Sequence, residues 1–231
     1  MRGLVEVARL YAERSVWRPR LLFAAALLAL TAIAAASGAN SATPEQIADD
    51  LVFAFVLPVL ALVYGLGVVR DEEGAWHWVL TRGVPRSGVY GVGLACALVL
   101  VAALGTGAVS LAGIELGRAL RAAALGAGAY VAVFAAMAAA LRRPLWPAIL
   151  LLFLYDLPAA RLPVPLHLYT LRAHIENLAI GSPLVDVPLG SMAGPPPTAA
   201  TSAAVLVAVT AVATALGAVA FARREPLHHG D

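Results

Sequence analysis

The sequence predicts an all-α integral membrane protein with six transmembrane helices. Three observations carry that prediction. The chain of 231 residues is 61% hydrophobic with only 13% charged residues, and its mean hydropathy is +0.84; a soluble domain of this size does not hide that much apolar surface. Six apolar runs, separated by charged or Pro- and Gly-rich stretches, have roughly the ~20-residue length that crosses a ~30 Å hydrocarbon core. Twelve of the sixteen arginines fall on alternate connections.

Residues 1–20 form a cytoplasmic interfacial segment ahead of a membrane domain over 21–231. Within residues 2–17, Leu4, Val7, Ala8 and Tyr11 share one helical face, while Arg2, Glu6, Arg9 and Glu13 share the opposite one. That is the pattern of an amphipathic surface helix. Glu6–Arg9 and Arg9–Glu13 stand at pairing distance. Such a helix turns through Trp17-Arg18-Pro19-Arg20 into the first span, acting either as a plain membrane anchor or as a docking element. A cleaved signal peptide is not expected, because the first apolar run begins only near Leu21 and the Ala-rich stretch to Ser37-Gly38 is a weak cleavage-site match.

The spans are placed at about 21–38, 48–69, 89–112, 119–141, 145–160 and 199–221. The second has the clearest start: Thr43-Pro44-Glu45-Gln46 supplies an N-cap hydroxyl, a proline at the first helical position and a capping-box glutamine. Its helix overshoots the hydrocarbon, which should leave Glu45, Asp49 and Asp50 at the interface, and Pro58 should kink it mid-membrane. Spans 3, 4 and 6 are dense in Gly and Ala. Gly91, Gly93, Gly105, Gly107, Gly113, Gly126 and Gly128 are positioned for close helix approach. The fifth span is short, opened by Pro147 and troubled at its far end by Asp156 and Pro158.

Arginine placement sets the direction. With the N-terminus cytoplasmic, one side receives Arg2, Arg9, Arg14, Arg18, Arg20, Arg70, Arg82, Arg86, Arg142, Arg143, Arg223 and Arg224; the other receives Arg118, Arg121, Arg161 and Arg172. That asymmetry predicts both termini in the cytoplasm of a multi-pass plasma-membrane protein.

All sixteen basic residues are arginine. Without lysine the chain has no G-x-x-x-x-G-K-[ST] phosphate loop, and hence no ATPase site of that kind; Schiff-base chemistry is excluded as well. The single cysteine, Cys96, forbids an intrachain disulfide and reads as a packing residue. No H-E-x-x-H, G-x-S-x-G or carboxylate pair within the spans supports an enzyme, and no catalytic residue, cofactor or metal site is expected. An ion-coupled secondary transporter is disfavoured by the scarcity of ionisable residues inside the spans.

The outer stretch 161–198 is the longest outside the spans. Leu166–Ile180 is helix-like, with Leu168, Leu171, Ile175 and Leu178 on one side, and Gly194-Pro195-Pro196-Pro197 closes it. Short outer helices capping the spans are expected. His167 and His174 are seven residues apart, ~10 Å of rise on one helix, too far to share a metal whose bonds to nitrogen are ~2 Å. They are expected at the interface, with His228 and His229 on the tail. Asp156 either lies within span 5, where an acid is a functional candidate, or caps that helix at the outer surface.

Between spans 2 and 3 runs a charged segment. Arg70, Asp71, Glu72, Glu73, Arg82 and Arg86 place six of the chain's thirty acidic and basic side chains within seventeen residues. Its acids would occupy a helix's first turn, where the dipole favours negative charge. Trp76, Val79 and Leu80 would form a bulky apolar knob of the kind that anchors interfaces, with Arg82 and Arg86 as a polar rim. The alternative is a solvated loop whose aromatics lie in the headgroup belt.

The order Glu72-Glu73-Gly74, then Leu80-Thr81-Arg82, then Val84-Pro85-Arg86-Ser87 resembles the signature of type-2 ABC export permeases. Ala75 departs from the usual threonine, and the Gly83-Val84-Pro85-Arg86 proline pattern is shifted. The resemblance implies a half-transporter permease that works as a homodimer or heterodimer in the lipid bilayer with a separate ABC ATPase subunit. It also implies that Asp71, Glu72, Glu73, Gly74, Trp76, Val79, Leu80, Arg82, Pro85 and Arg86 form a coupling helix. Nucleic acid is not an expected partner, and the substrate is unknown. A non-transporting membrane assembly or maturation scaffold with the same six spans is the alternative.

Overall fold

A computed structural model describes residues 2–15, 18–38, 42–69, 83–159, 169–181 and 197–223, with no strand among them. The helices are α1 (Arg2–Ser15), α2 (Arg18–Gly38), α3 (Pro44–Gly67), α4 (Arg86–Leu111), α5 (Leu116–Ala140), α6 (Leu145–Ala159), α7 (Leu171–Ile180) and α8 (Ala199–Arg223). Five of them, α2, α3, α4, α5 and α8, are long and apolar enough to cross a membrane, which makes the chain a multi-pass membrane protein in architecture. The segment expected as a fifth span over 145–160 is α6. At ~1.5 Å per residue it reaches about 22 Å, short of the ~30 Å hydrocarbon core.

α5 lies at the centre, packed most extensively against α8, α4 and α3. It can do so because its core-facing positions are small: Ala119, Ala122, Ala127, Ala132 and Ala135 are fully buried, so neighbouring backbones approach closely. Glycines on the partners extend the effect. A Cβ at Gly65 would fall 2.9 Å from Phe134 Cβ and 3.1 Å from Val131 O, and one at Gly105 would fall 2.7 Å from Leu57 Cδ1. Gly93, Gly126 and Gly128 likewise face close neighbours, whereas Gly91 and Gly107 face open space. Gly113, at φ +97°, serves the turn between α4 and α5, and a Cβ there would also meet Pro44 Cβ at 3.1 Å.

The start of α3 is the capping box read from the sequence. Gln46 N–H donates to Thr43 Oγ1 at 3.3 Å, and Thr43 N–H donates to Gln46 Oε1 at 2.9 Å.

Two helices widen to π-type hydrogen bonding immediately before a Leu-Pro pair. In α3 this occurs over Ala48–Val56, before Pro58; in α6 over Leu151–Asp156, before Pro158. The Leu57 N–H reaches Val52 O and the Leu157 N–H reaches Leu152 O, each five residues back. Proline has no N–H, and its ring crowds the carbonyl four residues earlier. Shifting the register ahead of the ring accommodates it, so the distortion expected at Pro58 takes the form of a widened stretch. Such stretches are rare and often mark functional positions. Each here carries one buried acid, Asp49 in α3 and Asp156 in α6.

Candidate functional site

Of the residues assigned to the coupling segment, Asp71, Glu72, Glu73, Gly74, Trp76, Val79, Leu80 and Arg82 lie outside the described residues. Its far end is described. Gly83 takes φ +69°, Pro85 precedes α4 in extended conformation and accepts from Gly88 N–H at 2.9 Å, and Arg86 is the first residue of α4.

Both flanks of the segment are held by α1. Val7 is buried against Val89, with Val84, Val92 and Tyr11 around the pair. The Tyr11 hydroxyl donates to Val68 O at 2.7 Å, at the end of α3. Gly93 leaves room for the Tyr11 ring, which a Cβ there would meet at 2.8 Å. One short helix thus touches the chain just before and just after residues 70–82. The face predicted to be apolar is the face that packs, and Glu6, Arg9 and Glu13 on the opposite face are exposed, with Arg9 Nε donating to Glu13 Oε1 at 2.8 Å. α1 is therefore docked on protein, not on lipid alone. Arg20 lies against Gly67 in the last turn of α3, where a cation suits the carbonyl end of the helix.

The opposite ends of the helices hold a second polar centre, built around α7. Thr170 caps that helix, accepting from Ala173 N–H at 3.3 Å. Asp156 accepts from Leu171 N–H at 2.8 Å and from the Tyr130 hydroxyl. The Arg172 guanidinium donates through Nη2 to Asp49 Oδ1 and through Nε to Glu176 Oε1. His174 Nδ1 is 3.1 Å from Ser202 Oγ, and Asn177 Nδ2 donates to Ser202 Oγ at 2.9 Å and to Pro197 O at 2.6 Å. Ile175 fills the space over Gly126, where a Cβ would fall 2.7 Å from its Cδ1. A single ten-residue helix therefore ties together α3, α5, α6 and α8.

The centre is buried. Asp49 is 8% exposed, Asp156 3%, Arg172 2%, His174 3% and Glu176 3%. Buried charges survive only when paired and hydrogen-bonded. Burial works against the Arg172 charge, but Glu176 and Asp49 outweigh it and hold the guanidinium above its ordinary value. Burial is the largest influence on Glu176. With the hydrogen-bonded Asp49 carboxyl it pushes this acid up to about 9, against the opposing pull of Arg172.

Neither a family model nor a curated protein nor a solved structure matches this chain.

Several expectations change. Asp49 was expected at the interface beside Glu45 and Asp50, yet it is buried on α7. Asp156 is not a surface cap of its own helix: it is buried at Tyr130, midway along α5, and caps the neighbouring α7. His174 is buried rather than interfacial; His167, His228 and His229 lie outside the described residues. Among the described residues no group of three or more His, Cys, Asp or Glu is arranged to hold a metal. The scarcity of buried ionisable groups, used against ion coupling, does not hold, since Asp49, Asp156, Arg172 and Glu176 are all inside. Arg172 and Glu176 stand one helical turn apart, a spacing that marks a pair. The sequence offered nothing to link them to Asp49.

Proposed function

We propose that the chain is the permease subunit of an ATP-driven exporter of the type-2 ABC kind, moving an unidentified substrate across the cytoplasmic membrane as one half of a dimer. The observation that carries the proposal is the charged segment between α3 and α4, with its Glu72-Glu73-Gly74, Leu80-Thr81-Arg82 and Pro85-Arg86 order. The packing of α1 across both of its flanks supports the reading. Force applied to the segment would reach α1, α3 and α4 together, as a rigid-body rocking device requires. The absence of lysine, and so of a G-x-x-x-x-G-K-[ST] loop, supports a reading in which a partner chain hydrolyses ATP. Six crossings, with α6 as a short fifth and α7 capping it on the outer side, keep both termini cytoplasmic as the arginine asymmetry asks.

The test is co-purification from native membranes with an ABC ATPase, followed by reconstitution. Trp76→Ala and Glu73→Gln should lower ATPase stimulation by the permease while leaving the permease folded. If no ATPase associates and the chain moves no solute in response to nucleotide, the proposal fails. The buried acids of α3 and α7 would then favour coupling to protons instead.

A further inference from the structure

The centre around α7 holds more buried acid than base. Asp49 and Glu176 both contact Arg172, and Asp156 lies at the first turn of the same helix. One guanidinium cannot neutralise two carboxylates. Yet Asp49 Oδ1 and Glu176 Oε1 both lie on that one guanidinium in a site shut off from water, and two carboxyls held so close together in such a site favour keeping one proton between them. The titratable and charged groups around Glu176 are Asp49 from α3, Arg172 of its own helix and Tyr130 from α5; Asp156 from α6 sits at the first turn of α7 on Tyr130 and the Leu171 N–H, and His174 is turned toward Ser202. α8 brings Ser202, which does not titrate in this range.

We propose that Asp49, Arg172 and Glu176 form a proton-dependent latch that fastens α7 to α3. With one proton shared between the two carboxyls, Arg172 neutralises the remaining negative charge and the latch is closed. When that proton leaves, a buried carboxylate stays unneutralised in a low-dielectric site and the closed state weakens. The latch spans 123 positions of sequence between Asp49 and Arg172, so opening it frees α7 from the start of α3 while the Asp156 and Ser202 contacts still hold the helix on α6 and α8. The inference is independent of the ATPase partner.

The sign follows from proton counting. The closed latch binds one more proton than an open one at every pH between the ordinary carboxylate value of 4.5 and about 9. The latch is therefore tightest at low pH, loosens as pH rises across that window, and changes little beyond it.

The test is hydrogen–deuterium exchange of the α7 amides in the full-length protein in lipid nanodiscs, corrected for intrinsic exchange. In the wild type the opening constant should rise by up to about tenfold per pH unit between about pH 6 and pH 9, then level off. Glu176→Gln keeps the shape without the titrating proton and should abolish the slope; Asp156→Asn should keep it. A pH-difference infrared spectrum supplies the second readout: a protonated-carboxyl band that disappears toward alkaline pH, absent from Glu176→Gln. A flat wild-type profile, an unchanged slope in Glu176→Gln, or a band that vanishes with Asp156→Asn instead would overturn the proposal.

Discussion

Replacing Arg172 with methionine keeps most of the side chain's length and removes the cation between Asp49 and Glu176. Both acids remain, each almost without exposure to water. Removing one partner from a buried ion pair costs about 3–5 kcal/mol, because the charge left behind is uncompensated. At ~2–4 °C per kcal/mol for a chain of this size, Arg172→Met should lower the unfolding temperature by about 6–20 °C. The assay is thermal unfolding in detergent micelles, followed by tryptophan fluorescence at several pH values. The deficit should shrink as pH falls toward the ordinary carboxylate range, because protons then replace the guanidinium on Asp49 and Glu176. Arg172→Lys should recover only part of the loss, since one ammonium cannot reproduce the separate Nε and Nη2 contacts. A loss below about 1 kcal/mol, or one equal at every pH, would show that Arg172 does not neutralise these acids.

Four further outcomes are expected. Wild-type stability should decline from about pH 5 to about pH 9, because Glu176, pushed up to about 9, releases its proton more readily unfolded than folded; chemical denaturation across that range measures it. Gly65→Leu should destabilise by at least the ~1–3 kcal/mol of an overpacked core, since its Cβ already meets Val131 O at 3.1 Å, whereas Gly107→Ala, with open space around it, should be neutral or slightly stabilising in the same melts. Tyr11→Phe removes the donor to Val68 O and should cost about 0.5–1.5 kcal/mol; proteolysis within residues 70–82 should speed up with it. Glu13→Gln breaks only an exposed pair with Arg9 and should change stability by under about 0.5 kcal/mol.

The helices were legible because their signals are local. Long apolar runs gave α2, α3, α4, α5 and α8 to within a few residues at each end. Thr43 and Gln46 marked the start of α3 with partners three positions apart. The heptad-like placement of Leu4, Val7 and Tyr11 chose the face of α1 that packs. α6 was the weak element in the sequence, and in the fold it runs unbroken through Pro147, Asp156 and Pro158 yet falls short of a crossing, with its register widened over Leu151–Asp156.

Apolar runs of about 20 residues determined that this chain is an α-helical membrane protein, for hydrocarbon admits only backbone that satisfies its own hydrogen bonds and a helix does so within one such run. Sequence order determined where the charged segment sits, between the second and third apolar runs. Tertiary structure alone decided which polar residues are inside. Asp49 and Asp50 are adjacent acids in the same stretch of sequence, yet Asp49 is buried and Asp50 exposed, and it is Asp49 that pairs with Arg172 of α7. Burial of a charge depends on a partner arriving from elsewhere in the chain. No local pattern contains that partner, so no local reading could separate the two.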